Sequence, residues 1–131
     1  MLMNTGQQAG RQPQILAIDD EPEILNIVQI LLTGKGYRVL TAGGAEEGLQ
    51  IFERQPQDID LVLLDYLMPE MTGDLVFEAI RQIKPDARVL LLTGYDNHVA
   101  ERLFAQGLRG YVHKPFSLDD LLRVIREQLQ P

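Results

Sequence analysis

The chain predicts an α/β fold: a doubly wound, five-stranded parallel sheet with five flanking helices, flavodoxin-like. Three observations predict it. Short, continuous apolar runs over residues 15–18, 61–64 and 89–92 are bounded by turn signals, as in strands buried on both faces. Helical periodicity alternates with these runs from Gln14 onward. Each run also stops at a polar residue: Asp19-Asp20, Asp65, Thr93 and, after Tyr111-Val112-His113, Lys114. Ligands of open α/β sheets collect beyond the carboxyl ends of the strands. Three carboxylates, a hydroxyl and an ammonium are therefore expected at one rim.

The elements follow in order. After the first strand (15–18), Pro22 sits in the first turn of a helix, where proline is tolerated. Ile24, Val28, Leu31 and Leu32 mark its inward face, and Gly34 or Gly36 ends it. A second strand covers 38–41. The helix over 45–54 turns Ala45, Leu49 and Phe52 inward and stops before Pro56. The third strand, 59–64, opens onto an Asp65-Tyr66-Leu67-Met68-Pro69 loop, with Met68 and Met71 as loop packing. The third helix starts near Thr72, buries Leu75, Val76, Ala79, Ile80 and Ile83, and yields at Pro85. A fourth strand, 88–92, leads to a Thr93-Gly94-Tyr95-Asp96-Asn97 loop. The fourth helix carries Val99, Leu103 and Phe104 and ends at Gly107. Residues 110–113 form the fifth strand. Ser117 and Asp120 read as a capping box for the fifth helix, lined inward by Leu118, Leu121, Leu122, Ile125 and Leu129. Right-handed crossovers put helices on both faces. Strand order 2-1-3-4-5 sets Asp19-Asp20 beside Asp65 at the switch point.

Length and composition bound the function. The chain has 131 residues, 45% hydrophobic and 24% charged, enough for one core and ordinary for a soluble domain. Residues 1–13 lack periodicity and read as a disordered leader, with a single domain over 14–131. There is no cysteine, so disulfides and thiolate metal sites are excluded. Neither a secretory signal nor an apolar run long enough for a membrane span is visible. A cytoplasmic location is expected. The net charge of −7 argues against direct nucleic-acid binding.

Carboxylates about 4 Å apart repel by roughly 1 kcal/mol per pair in water and about 4 near a protein surface. A hard cation relieves that repulsion, and carboxylate oxygens suit Mg²⁺ or Mn²⁺. Helix capping by Asp20 or Glu21, just ahead of Pro22, is the competing reading for this acidic pair. Asp65 alone reads as a loop cap, Thr93 as a strand-end hydroxyl, and Lys114 as a surface lysine; their coincidence at successive strand ends carries the argument. Carboxylate, cation, ammonium and hydroxyl together suit phosphoryl transfer onto an aspartate. No G-x-x-x-x-G-K-[ST] loop offers a nucleotide site, and no Asp-x-Asp pair follows the first or third strand, as a hydrolytic phosphatase would have. His98 and His113 have no ligand spacing with the acids and read as structural or solvated.

Over residues 14–129 the chain resembles the receiver domain of two-component response regulators. The segments that carry the resemblance are Ile18-Asp19-Asp20-Glu21-Pro22, Leu63-Leu64-Asp65-Tyr66-Leu67-Met68-Pro69 with Gly73, Leu92-Thr93-Gly94, and residues 107–115 ending in His113-Lys114-Pro115. The resemblance implies that Asp65 accepts a phosphoryl group from a sensor histidine kinase or phosphotransfer protein. It implies direct Mg²⁺ ligation by Asp20, Asp65 and the Leu67 main-chain carbonyl, with Asp19 acting through water. It further implies that Lys114 and Thr93 contact the phosphoryl group, that Thr93 and Tyr111 switch together, and that the Lys114-Pro115 bond is cis. The fourth helix, fifth strand and fifth helix would then meet an output protein or domain, or a second copy through helices 4 and 5. On this reading the chain is a bacterial signalling switch and not an enzyme. Tyr111 also reads as plain packing. Leu67 is apolar where many relatives are polar, and Tyr95 is bulky; both are expected to hinder water and slow dephosphorylation. A phosphorylation-independent binding module and a small metal-dependent phosphohydrolase are the alternatives.

Overall fold

Apolar side chains that alternate in direction along each strand divide the core into two layers on either side of one sheet. The computed structural model describes residues 11–94 and 98–130. Its elements, in chain order, are β1 (Gln14–Ile18), α1 (Pro22–Gly34), β2 (Arg38–Ala42), α2 (Ala45–Arg54), β3 (Leu61–Asp65), α3 (Gly73–Ile83), β4 (Val89–Thr93), α4 (His98–Phe104), β5 (Gly110–His113) and α5 (Leu118–Leu129). The strands are parallel in the order β2-β1-β3-β4-β5, as the sequence predicts. Leu16, Ile18, Val62, Leu64, Val89 and Leu91 face Phe52, Val76, Phe77, Ile80 and Leu103, the layer of α2, α3 and α4. Ile15, Ala17, Leu61, Leu63, Leu90 and Leu92 face Val28, Leu32, Leu121, Leu122 and Ile125, the layer of α1 and α5. Burial on both faces explains why β1, β3 and β4 lack polar alternation.

Pairing extends three strands one residue beyond their expected ends, β2 among them with Ala42 aligned with Ile18. Asp65 is aligned with Leu92 across β3 and β4, and Thr93 with His113 across β4 and β5. Both functional candidates therefore belong to strands and not to loops. At the other end of β3, Ile59 is buried outside the strand, and Asp60 accepts a bond from the Gln14 N–H at 2.8 Å. The expected leader lies outside the described residues as far as Gly10. Beyond it, the Pro13 carbonyl accepts from the Arg38 N–H at 2.9 Å.

Helix ends follow local chemistry. Gly36 at φ 94° and Gly107 at φ 103° supply left-handed turns. Around each, paired bonds (Tyr37 N to Leu32 O with Gly36 N to Thr33 O, and Leu108 N to Leu103 O with Gly107 N to Phe104 O) form a Schellman motif. The Ser117 hydroxyl accepts from the Asp120 N–H at 3.0 Å, the serine half of the expected capping box.

Three expected core residues are exposed instead: Leu75 at 51%, Phe104 at 40% and Leu118 at 41%. In α3 the buried stripe runs through Gly73, Val76, Phe77 and Ile80, so Leu75 is rotated off it by one residue's turn. In α4, Ala100 and Leu103 are buried and Phe104 falls beside them, its ring edge-on to Tyr111. Leu118 opens α5 next to the exposed face of α1.

One close approach couples the fold to the rim. The Gly73 N–H bonds the Tyr66 carbonyl at 2.6 Å. A Cβ at Gly73 would lie 2.8 Å from the Tyr66 Cα and 2.9 Å from the Asp65 carbonyl oxygen, both backbone atoms. Gly73→Ala should therefore destabilise the chain by about 1–3 kcal/mol, read as a lower urea midpoint.

Candidate acid–lysine pocket at the carboxyl ends of the strands

The switch between β1 and β3 brings distant acids together, because β1 pairs β2 on one edge and β3 on the other. Asp19 follows β1, with its N–H bonded to the Ala42 carbonyl of β2 at 3.1 Å. Asp65 closes β3 and Thr93 closes β4. Lys114 follows β5, with its N–H bonded to the Thr93 carbonyl at 2.7 Å. Carboxylate oxygens of Asp19, Asp20 and Asp65 lie within 4.8 Å of one another. Asp19 and Asp65 are buried, and Asp20 is the most open of the three.

The Lys114 ammonium sits among the acids. It donates to Asp65 Oδ1 at 2.9 Å, to Asp19 Oδ2 at 3.4 Å and to Glu21 Oε1 at 3.4 Å. The other Asp19 oxygen accepts from the Glu21 N–H at 2.9 Å. Thus Asp19 ties the turn into α1, while no side chain caps that helix directly. A cleft of about 210 Å³ opens beside the acids, lined by Glu21, Asp65, Tyr66, Leu67, Thr93, Gly94 and Lys114. Thr93 is buried there and Leu67 is exposed at its edge. Tyr111 stands apart, its ring centroid 6.0 Å from that of Phe104 on α4. Tyr95 lies outside the described residues. The Lys114-Pro115 bond is cis.

Sequence reasoning undervalued Glu21, which it took only as a capping acid. The structure makes Glu21 a partner of Lys114 and a wall of the cleft. Its place beside Asp19-Asp20 at the same junction was the available signal.

Electrostatics follow from burial. Desolvation raises the Asp65 pKa from 3.8 to about 6, reinforced by Asp19 and Asp20 and opposed by the Lys114 hydrogen bond. Asp19 is also raised, first by burial, with the Glu21 N–H and Lys114 opposing. Burial would lower Lys114, but its bond to Asp65 and the surrounding carboxylates carry it upward. One ammonium against this many carboxylates leaves negative charge uncompensated. Three hard oxygen donors with part of the cluster open to solvent fit a Mg²⁺ ion, which retains waters when bound by proteins.

The family model for the response regulator receiver domain matches residues 15–126. This chain is a receiver domain of that family. It is 33% identical over 118 residues to the transcriptional regulatory protein GlrR of Escherichia coli, covering 88% of this chain and 26% of GlrR. It is 32% identical over 117 residues to the sensor kinase CckA of Brucella abortus, covering 88% of this chain and 12% of CckA. The chain therefore spans a minor part of these relatives. Among solved structures, the response regulator TrrA of Thermotoga maritima in complex with Mg²⁺-BeF shares 36% identity at TM-score 0.79, covering 90% of this chain and all of that one. A receiver domain is a phosphoacceptor signalling switch. No helix among the described residues is long and apolar enough to cross a membrane.

The raised acid sets a pH dependence for the metal-free domain. A carboxyl whose folded pKa lies above its unfolded value contributes stability below 3.8 and loses it as pH rises through about 6. Asp65→Asn should therefore stabilise the metal-free domain at neutral pH, by roughly 1–2 kcal/mol after loss of the Lys114 bond is counted. The gain should shrink as the solution is acidified to the unfolded value. Urea midpoints of both proteins across that range check the sign.

Proposed function

We propose that Asp65 is the phosphoacceptor and that its modification controls the surface formed by α4, β5 and α5. The observation that carries this reading is the Asp65 carboxylate held 2.9 Å from the Lys114 ammonium at the mouth of a cleft shared with Thr93. One Asp65 oxygen attacks phosphorus, the bond from phosphorus to the donor atom breaks, and the donor's electron pair leaves with it. Lys114 neutralises an oxygen of the transferring group, and the Thr93 hydroxyl donates to another. Asp20, Asp65, the Leu67 main-chain carbonyl and, through water, Asp19 would hold a Mg²⁺ ion, which would supply charge neutralisation at the phosphoryl oxygens. Mn²⁺ has the same preference for these donors.

The donor is a phosphohistidine on a sensor kinase or phosphotransfer protein. Movement of Thr93 toward the new group draws Tyr111 away from Phe104 and biases the α4 face between two states. That face serves an output protein or domain, or a second copy of the chain. The domain extends over 14–131, works in the bacterial cytoplasm, and does not itself contact nucleic acid or membrane. It turns over no substrate of its own.

Incubation with acetyl phosphate and Mg²⁺ should add one phosphoryl group, read by mass spectrometry. Asp65→Ala should abolish the adduct, and persistent labelling of that variant would place the acceptor elsewhere. Leu67 exposes 53% of its surface beside the cleft. With Tyr95, it is proposed to hinder attacking water and lengthen the life of the acyl phosphate. The double variant Leu67→Asn, Tyr95→Ala should release phosphate several-fold faster; equal decay rates would end that part of the reading.

A further inference from the structure

On the side of the sheet away from α1 and α5, a groove of about 360 Å³ runs between α2 and α3. Its floor is apolar and half-buried: Leu49 from α2, Met71 from the loop before α3, and Ala79 and Ile83 from α3. Its rim is acidic. Glu46 and Glu53 stand two helical turns apart on α2, with Gln50 between them on the same face, and Glu70 lies at the head of the groove. Among the described residues, no Lys or Arg lines it.

The acids of this rim differ from those of the pocket at the strand ends. None of the ion pairs among the described residues involves Glu46, Glu53 or Glu70, whereas Asp19, Asp65, Asp60 and Asp74 each face a Lys or Arg. An apolar floor flanked along its length by unneutralised carboxylates is complementary to a helix with one apolar face and lysine or arginine beside it. A rim spanning two turns of α2 matches two turns of such a ligand.

We propose that the α2–α3 groove docks a basic amphipathic helix of a partner protein. Two apolar side chains one turn apart would fill the space over Leu49, Ala79 and Ile83, and basic side chains would meet Glu46 and Glu53. The groove is separate from the α4–β5–α5 face, so a partner held here leaves that face free. A receiver could then be kept near a partner whatever the state of Asp65. The inference does not depend on the phosphoacceptor assignment.

The probe is a synthetic helix with leucine at i, i+3, i+4 and i+7 and lysine elsewhere, titrated into the isotope-labelled chain. A scrambled peptide of identical composition serves as the control for general attraction to an acidic protein. Amide shifts should concentrate on α2, on α3 and at Met71, and the scrambled peptide should bind more weakly. Glu46→Lys with Glu53→Lys should weaken binding by about tenfold, as expected for two exposed pairs turned repulsive. The same variant should retain the wild-type melting curve and labelling by acetyl phosphate. Equal binding of the two peptides, shifts centred on α1 or α5, or unchanged affinity in the folded double variant would each overturn the proposal.

Discussion

A single ammonium holds this receiver's acidic rim together. Lys114 reaches Asp65, Asp19 and Glu21, three groups drawn from two different strand ends, and it arrives from a third. Without it, buried carboxylates this close would cost several kcal/mol or take up protons. With it, the cluster is tolerable but still short of positive charge, as the raised Asp65 shows. That shortfall is what makes the site responsive. On the proposed function, a divalent cation and then a phosphoryl group would change a balance the fold has left incomplete.

The placement of these groups is a property of the sheet. Its central strands are buried on both faces, so their ends are fixed by packing as well as by pairing. The switch in direction between β1 and β3 leaves a crevice where α1 and α3 depart to opposite layers. The bond from Lys114 N–H to the Thr93 carbonyl then fixes the lysine relative to the strand that presents the threonine. Tight contact of Gly73 with Tyr66 and Asp65 holds the opposite wall.

Much of this architecture was legible in the residues, for identifiable reasons. Runs without polar alternation disclosed doubly buried strands, and their terminal Asp19, Asp65, Thr93 and Lys114 disclosed the rim. The second helix and fifth strand match their expected bounds because Pro56, Gly110 and Lys114-Pro115 punctuate them sharply. Side-chain direction was harder. Leu75, Phe104 and Leu118 are apolar and near the helical stripe, yet each falls just off it. Hydropathy cannot resolve one residue's rotation when neighbours such as Phe77 and Leu103 are equally apolar. Glu21 was undervalued for another reason: its neighbours Asp19-Asp20 marked the junction, but its contact with Lys114 joins residues far apart in sequence.

Asp65 belongs to the hydrogen-bonded ladder, aligned with Leu92, while the following amide of Tyr66 also bonds the Leu92 carbonyl. Its main chain is consequently anchored on the side from which a phosphoryl group would press. Added bulk cannot be absorbed by a recoil of the strand without breaking pairing in the middle of the sheet. With Asp65 as the proposed acceptor, displacement would be exported sideways, toward the ends of β4 and β5 and the short α4. There a half-exposed Phe104–Tyr111 contact and the 3.3 Å Arg102–Asp74 bridge offer less resistance than a buried ladder. On the proposed assignment of Asp65, a rigid acceptor would set the direction in which a chemical event becomes a mechanical one.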